Sequence, residues 1–216
     1  MKRAVFSTLL VGLALASCAQ DKSDGGGSQA PQATKANAGP AATPPKAPAV
    51  YKVEFATTKG DFIVEVTRAW APLGADRFHE IVASGFYQDT ALFRVIENFV
   101  AQFGLHADPA VTAKWKDATI KDDPVLQANE RGMVTFATRG PNTRTTQLFI
   151  NMQHNKPLDS MGFAPFAKVI KGLDVIDRIH RTGEAASQQK ITNEGNAYLK
   201  KNFPKMDYIK SAKFVN

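Results

Sequence analysis

Arg94 and Gln102 sit inside FRVIENFVAQFG (residues 93–104), a stretch otherwise rich in Phe, Val and Ile. Gln147 and Phe149 sit two apart in TTQLFIN. A guanidinium stays protonated and holds its donors in a rigid fork. In an apolar wall it has two readings. It pairs a carboxylate structurally, or it serves as a fixed cation beside a slot where a bound group develops charge. Other chemistries find less support. Thr145 and Thr146 offer hydroxyls, but no His-Asp arrangement activates them. His79, His106, His154 and His180 have no metal-pair spacing and read as solvated. Glu65, Asp76 and Glu80 read as exposed faces of a strand and a helix. There is no Walker motif, glycine-rich dinucleotide loop or CxxC pair. No cofactor and no metal are expected.

The positioning elements are mostly strands. YKVEFATTKGDFIVEVTR alternates apolar and polar residues around a turn at Gly60, the pattern of a hairpin. APLGADRFHEIVASG predicts a helix, with Pro72 in its first turn, Phe78, Ile81 and Val82 on one face, and Gly85 at its end. The Glu97-Asn98 turn breaks the alternation of the next hairpin, so Arg94 and Phe99 need not point apart. Residues 105–129 read as a long loop containing Trp115. GMVTFATR and TTQLFIN predict two strands joined through GPNT. Along the second, Gln147, Phe149 and Asn151 share one face, while Leu148 and Ile150 take the core face. APFAKVI predicts a strand, GLDVIDRIH a short amphipathic helix, GNAYLKKNF a helix and MDYIKSAKFVN a closing strand. Many strands and few helices suggest a barrel or sandwich with helical caps.

FRVIENFVAQFG and GMVTFATRGPNTRTTQLFINM resemble the two signature segments of cyclophilins, the cyclosporin-binding class of peptidyl-prolyl isomerases. LDSMGFAPFAKVIKGLDVIDRI resembles that family's third segment, and EGNAYLKKNFPKMDYIK the tail of a bacterial subgroup. The resemblance covers residues 51–216 in order. It implies a mainly β fold: a closed antiparallel barrel of eight strands, capped by two helices, with a C-terminal helix-strand extension. It implies rotation about X-Pro bonds, with proline-containing segments of unfolded or envelope proteins as partners. The family's catalytic arginine falls on Arg94. Its substrate-binding positions fall on Phe99, Gln102, Phe136, Ala137, Thr138, Gln147, Phe149, Leu158 and Phe163. Thr138 stands where the family has asparagine, Phe163 about where it has a histidine, and no tryptophan matches near Pro157.

The first fifty residues read as address and tether. MKRAVFSTLLVGLALASC has a basic start and an apolar run over residues 4–16, the pattern of a secretory signal. LASC resembles the lipobox of bacterial lipoproteins, and Cys18 is the chain's single cysteine. Residues 1–17 are therefore expected as signal peptide, with Cys18 lipidated and tied to a membrane. In a Gram-negative organism, Ala19 after the cysteine resembles outer-membrane sorting. Residues 18–50 lack large apolar side chains up to the last few positions and predict a flexible linker. The formal net charge is +7, of which +3 lies in residues 1–50. The remainder forms no dense basic cluster, which argues against nucleic acid as a partner. A monomer in the cell envelope is expected.

Overall fold

The computed structural model describes residues 39–40 and 45–216. The signal, Cys18 and most of the expected linker lie outside the described residues. Packing begins slightly before residue 51. Ala47 is buried, and its N–H donates to Asp76 Oδ1 at 2.9 Å.

Strands β1 (Val50–Thr57) and β2 (Gly60–Thr67) form the expected hairpin, paired so that Thr57 faces Gly60. Their inward residues pack across the pair: Val53 faces Val64, and the Phe55 and Phe62 rings stack with centroids 4.9 Å apart. Helix α1 (Pro72–Ala83) starts at its proline and buries Phe78, Ile81 and Val82. Its free N-terminal amides are capped from a distance: Asp123 accepts from Leu73 and Gly74 N–H at 3.0 and 2.8 Å. That contact anchors the segment read as a long loop. The segment also contains α2 (Pro109–Trp115), capped by Asp108, with Trp115 buried.

Seven further strands complete one sheet: β3 (Thr90–Ala91), β4 (Arg94–Val95), β5 (Val100–Phe103), β6 (Met133–Phe136), β7 (Leu148–Asn151), β8 (Pro165–Lys171) and β9 (Tyr208–Val215). The order is β3-β9-β1-β2-β8-β6-β7-β5-β4. Its two outer strands, β3 and β4, are separated in sequence only by Leu92 and Phe93. Three Cα steps span at most about 11 Å, so the sheet must curl until its edges nearly meet. The sheet thus has nine strands where eight were expected, and it is a curled half-barrel whose edge strands are joined by chain instead of by a ladder. Between β7 and β9 lie α3 (Pro157–Ser160), α4 (Leu173–Arg178), α5 (Gln188–Glu194) and α6 (Asn196–Asn202). The described residues therefore form six α-helices and a 3-10 turn at Arg68–Trp70, where two caps and one helix in the extension were expected. Strand β9 is no extension: it pairs with β1 on one side and β3 on the other.

The main core fills the curl and contains Leu148 and Ile150, as the alternation requires. A second cluster packs α5 and α6 through Ile191 and Leu199 against Phe93 and Leu105. A third joins Val100, Phe149 and Leu158, with Phe99, Ala137 and Phe163 against it. Among the described residues, no helix is long and apolar enough to cross a membrane.

Candidate active site

The third cluster opens into a cavity of about 800 Å³. Strand register places its polar wall. Arg94 on β4 faces Gln102 on β5, and Gln102 faces Phe149 on β7. The Glu97-Asn98 turn, with Asn98 at φ 54°, brings Phe99 back beside Arg94. The guanidinium carbon lies 5.5 Å from the Phe99 ring centroid, within cation–π range. Arg94 Nη1 donates to Gln102 Oε1 at 3.2 Å, and Gln102 Nε2 donates to Gln147 Oε1 at 2.8 Å. Two strand side chains and Gln147, the residue just before β7, thus form one hydrogen-bonded row above the slot.

The slot is apolar. Val100 and Leu158 line it, and the Phe149 and Phe163 rings meet edge to face with centroids 5.6 Å apart. Its mouth continues past Ala137 and Thr138 to Arg139, Thr143 and Thr145. There Thr138 Oγ1 contacts Thr143 Oγ1 at 2.8 Å, which shapes the GPNT turn. Ala137 N–H donates to the Gln147 carbonyl at 2.9 Å, tying this edge to the glutamine row.

A buried polar network supports the slot from below. Asn155 Nδ2 and Met152 N–H both donate to the Phe99 carbonyl, at 2.9 and 2.8 Å. Asn155 Nδ2 also reaches Asn151 Oδ1, and Asn151 Nδ2 reaches Asn129 Oδ1. Asn129 in turn donates to the Phe163 carbonyl and to Asp159 Oδ1. A satisfied network of this kind fixes both the Phe99 and Phe163 walls.

Of the residues expected at the site, Arg94, Phe99, Gln102, Ala137, Thr138, Gln147, Phe149, Leu158 and Phe163 all line this cavity. Phe136 does not. It faces Leu148 across β6 and β7, points into the core and packs on Phe166 with centroids 5.2 Å apart. Thr135, its neighbour, takes the Phe149 side and donates to Asn129 Oδ1. Four outlying readings also change, the first being His79, which is half-buried against the Tyr51 and Phe214 rings instead of solvated. His106 is buried instead of solvated. Glu80 is buried beside Arg77, and Asp76 is engaged by Arg68 at 2.7 Å.

Two features of the site were not foreseen. Helix α5 forms a wall through Gln188, Gln189, Thr192 and Asn193. Glu184 accepts from Arg94 Nε and Nη2 at 3.0 and 2.7 Å, so both readings of that arginine, carboxylate partner and slot cation, coexist. Hydrogen bonding from Arg94 holds the Glu184 carboxyl below its ordinary range. No sequence signal joins these residues, which lie 90 positions apart.

Comparison with known proteins agrees with this geometry. The family model described as cyclophilin type peptidyl-prolyl cis-trans isomerase/CLD matches residues 52–197. A peptidyl-prolyl cis-trans isomerase from Acinetobacter baylyi is 38% identical over 133 residues, covering 59% of this chain and 70% of that protein. Peptidyl-prolyl cis-trans isomerase B from Escherichia coli is 31% identical over 153 residues, covering 66% of this chain and 93% of the relative. Among solved structures, a cyclophilin type peptidyl-prolyl cis-trans isomerase from Cryptosporidium parvum superposes with a TM-score of 0.58 at 22% identity. That match covers 77% of this chain and 98% of the other. It is a likeness of fold.

Proposed function

Because this chain belongs to the cyclophilin-type peptidyl-prolyl cis-trans isomerases, we propose that Arg94 is its catalytic cation and that the adjoining apolar slot holds the proline ring. The observation carrying this is one juxtaposition: the Arg94 guanidinium above Phe99, at the rim of a slot lined by Phe149, Leu158 and Phe163.

The chemistry follows from amide resonance. An X-Pro bond resists rotation by about 18–20 kcal/mol and isomerises unaided over roughly tens to hundreds of seconds. At the twisted midpoint conjugation is lost and the proline nitrogen regains a lone pair. A donor fixed near that nitrogen stabilises the twisted form more than either planar form. Arginine offers such a donor without a proton-transfer step. The slot grips the ring while Gln102 and the edge at Ala137 and Thr138 hold the flanking main chain. No covalent bond is made or broken, and the bond order of one C–N bond falls and recovers.

The clients are proline-containing segments of envelope proteins. The protein works as a monomer at a membrane surface, held by lipid on Cys18 after loss of residues 1–17, with residues 18–50 as the tether. What supports this is the basic-then-apolar start and the single cysteine at its end. Detergent phase partition of wild type against Cys18→Ser tests the anchor.

The activity is tested by NMR exchange between the cis and trans forms of an Ala-Pro peptide. Arg94→Ala is expected to slow catalysed exchange by roughly 10²-fold or more while the peptide still binds. Wild-type binding without acceleration would make the protein a proline-recognising module instead.

A further inference from the structure

We infer that Glu184 is a positioning residue for this reaction: it fixes the Arg94 guanidinium over the slot while leaving part of the donor fork open to substrate. The inference rests on the reading of Arg94 as the catalytic cation.

The chain delivers Glu184 by covering a sheet edge. Strand β4 is outermost, and Thr182 and Gly183 lie along it. Val95 N–H donates to Thr182 Oγ1 at 2.8 Å, Gly183 N–H donates to the Val95 carbonyl at 3.0 Å, and Thr182 Oγ1 donates to the Phe93 carbonyl at 3.1 Å. These contacts occupy main-chain groups that an outer strand leaves open. Gly183 then turns at φ +58°. Nothing lies within 4 Å of a Cβ built there, so backbone conformation, not crowding, calls for glycine. The next side chain meets Arg94.

At that point the guanidinium is held on three sides. Glu184 Oε1 takes Nε and Nη2, Gln102 takes Nη1, and the Phe99 ring lies with its centroid 5.5 Å from the guanidinium carbon. A guanidinium has five N–H donors, of which these bonds use three, leaving two for a bound peptide. A long side chain left free would lose rotamer freedom on meeting the twisted bond. Here that ordering is complete before substrate arrives, which is the benefit of preorganisation. The Glu184 side chain is 70% exposed, and exposed pairs contribute little to folding. Its effect therefore falls on the alignment of Arg94 and not on the fold.

The test compares full-length wild type, Glu184→Ala, Glu184→Gln and Arg94→Ala by exchange spectroscopy on an Ala-Pro peptide. Peptide Kd and unfolding midpoint are measured alongside. Glu184→Ala is expected to lower kcat roughly two- to fivefold with Kd and midpoint unchanged. Glu184→Gln keeps an oxygen acceptor and recovers most of the loss. Equal kcat in wild type and Glu184→Ala, with Arg94→Ala inactive, overturns the inference and leaves the isomerase reading intact. A higher kcat in Glu184→Ala also overturns it and makes the glutamate an inhibitory latch. A loss carried by Kd or by the midpoint overturns it too, assigning Glu184 to binding or to the fold. Failure of wild type to accelerate exchange removes the underlying reading itself.

Discussion

Gln102 stands directly opposite Arg94 in the β4–β5 register, accepts from its Nη1 at 3.2 Å and passes a hydrogen bond on to Gln147 at 2.8 Å. One amide therefore serves both as acceptor for the cation and as donor to Gln147, just before β7. Its two ends have opposite polarity, so no apolar side chain of similar shape can replace it. The direction of the fork is set through this row as far away as Gln147.

Gln102→Leu keeps the volume and removes both bonds. Gln102 is buried, so Gln147 Oε1 loses its donor without water to replace it fully. Catalysed exchange should fall roughly five- to twentyfold, the range of one to two partly buried hydrogen bonds. A double-mutant cycle with Gln147→Ala should give a coupling of about 0.5–3 kcal/mol. Additive single effects in exchange rates would show that the row does not act as a unit.

Phe149→Ala empties the floor of the slot. Phe149 is 5% exposed and packs with Val100, Leu158 and Phe163. The substitution should destabilise the fold by about 2–4 kcal/mol and weaken peptide binding at least about tenfold. Denaturant midpoints and peptide titration measure the two effects separately. The open side of the slot should hold the folding cost below that of a fully enclosed phenylalanine such as Phe55 or Phe166.

Stability should fall on mild acidification because of two histidines outside the site. Burial lowers the pKa of His79, against the opposing charge of Asp76. Burial likewise lowers that of His106, against Asp108 and Asp89, and its Nδ1 accepts from the Asp108 N–H at 2.9 Å. Both folded values lie below the unfolded 6.5. As pH drops through 6.5 the unfolded chain takes up protons first, so stability is retained above that pH and lost progressively below it. Unfolding midpoints between pH 8 and pH 5 should show the decline, and a His79→Gln, His106→Gln double variant should flatten it.

Much of the site was legible because it is locally encoded. Period two along TTQLFIN separates Gln147 and Phe149 from Leu148 and Ile150, and the structure keeps that division. The Glu97-Asn98 turn explains how Arg94 and Phe99 come to share a surface. Phe136 obeys the same rule. Alternation from Val134 sends Phe136 to the core side, away from the slot, although the family resemblance places a binding position there. Helix α2 was also readable, since Asp108-Pro109 is a cap followed by a first-turn proline. Other features had no local signal. Glu184 reaches Arg94 through hydrogen bonds to β4 across most of the domain's length. The α5 wall is made by a helix whose cavity-facing residues are polar amides and a threonine. The place of β9 inside the sheet is a matter of topology, which the strand's own sequence does not specify.

The insertion of β9 between β3 and β1 sets a schedule for the chain's birth on the ribosome. Residues 50–171 carry eight of the nine strands, but β1 and β3 have no shared neighbour until residues 208–215 emerge. A nascent chain short of that point has the arginine, the slot and the glutamine row, yet its sheet cannot curl shut. Closing it last joins segments more than 100 residues apart, contacts of the kind that fold slowly. The chain of a prolyl isomerase thus makes this slow, long-range pairing only after its eight other strands have emerged.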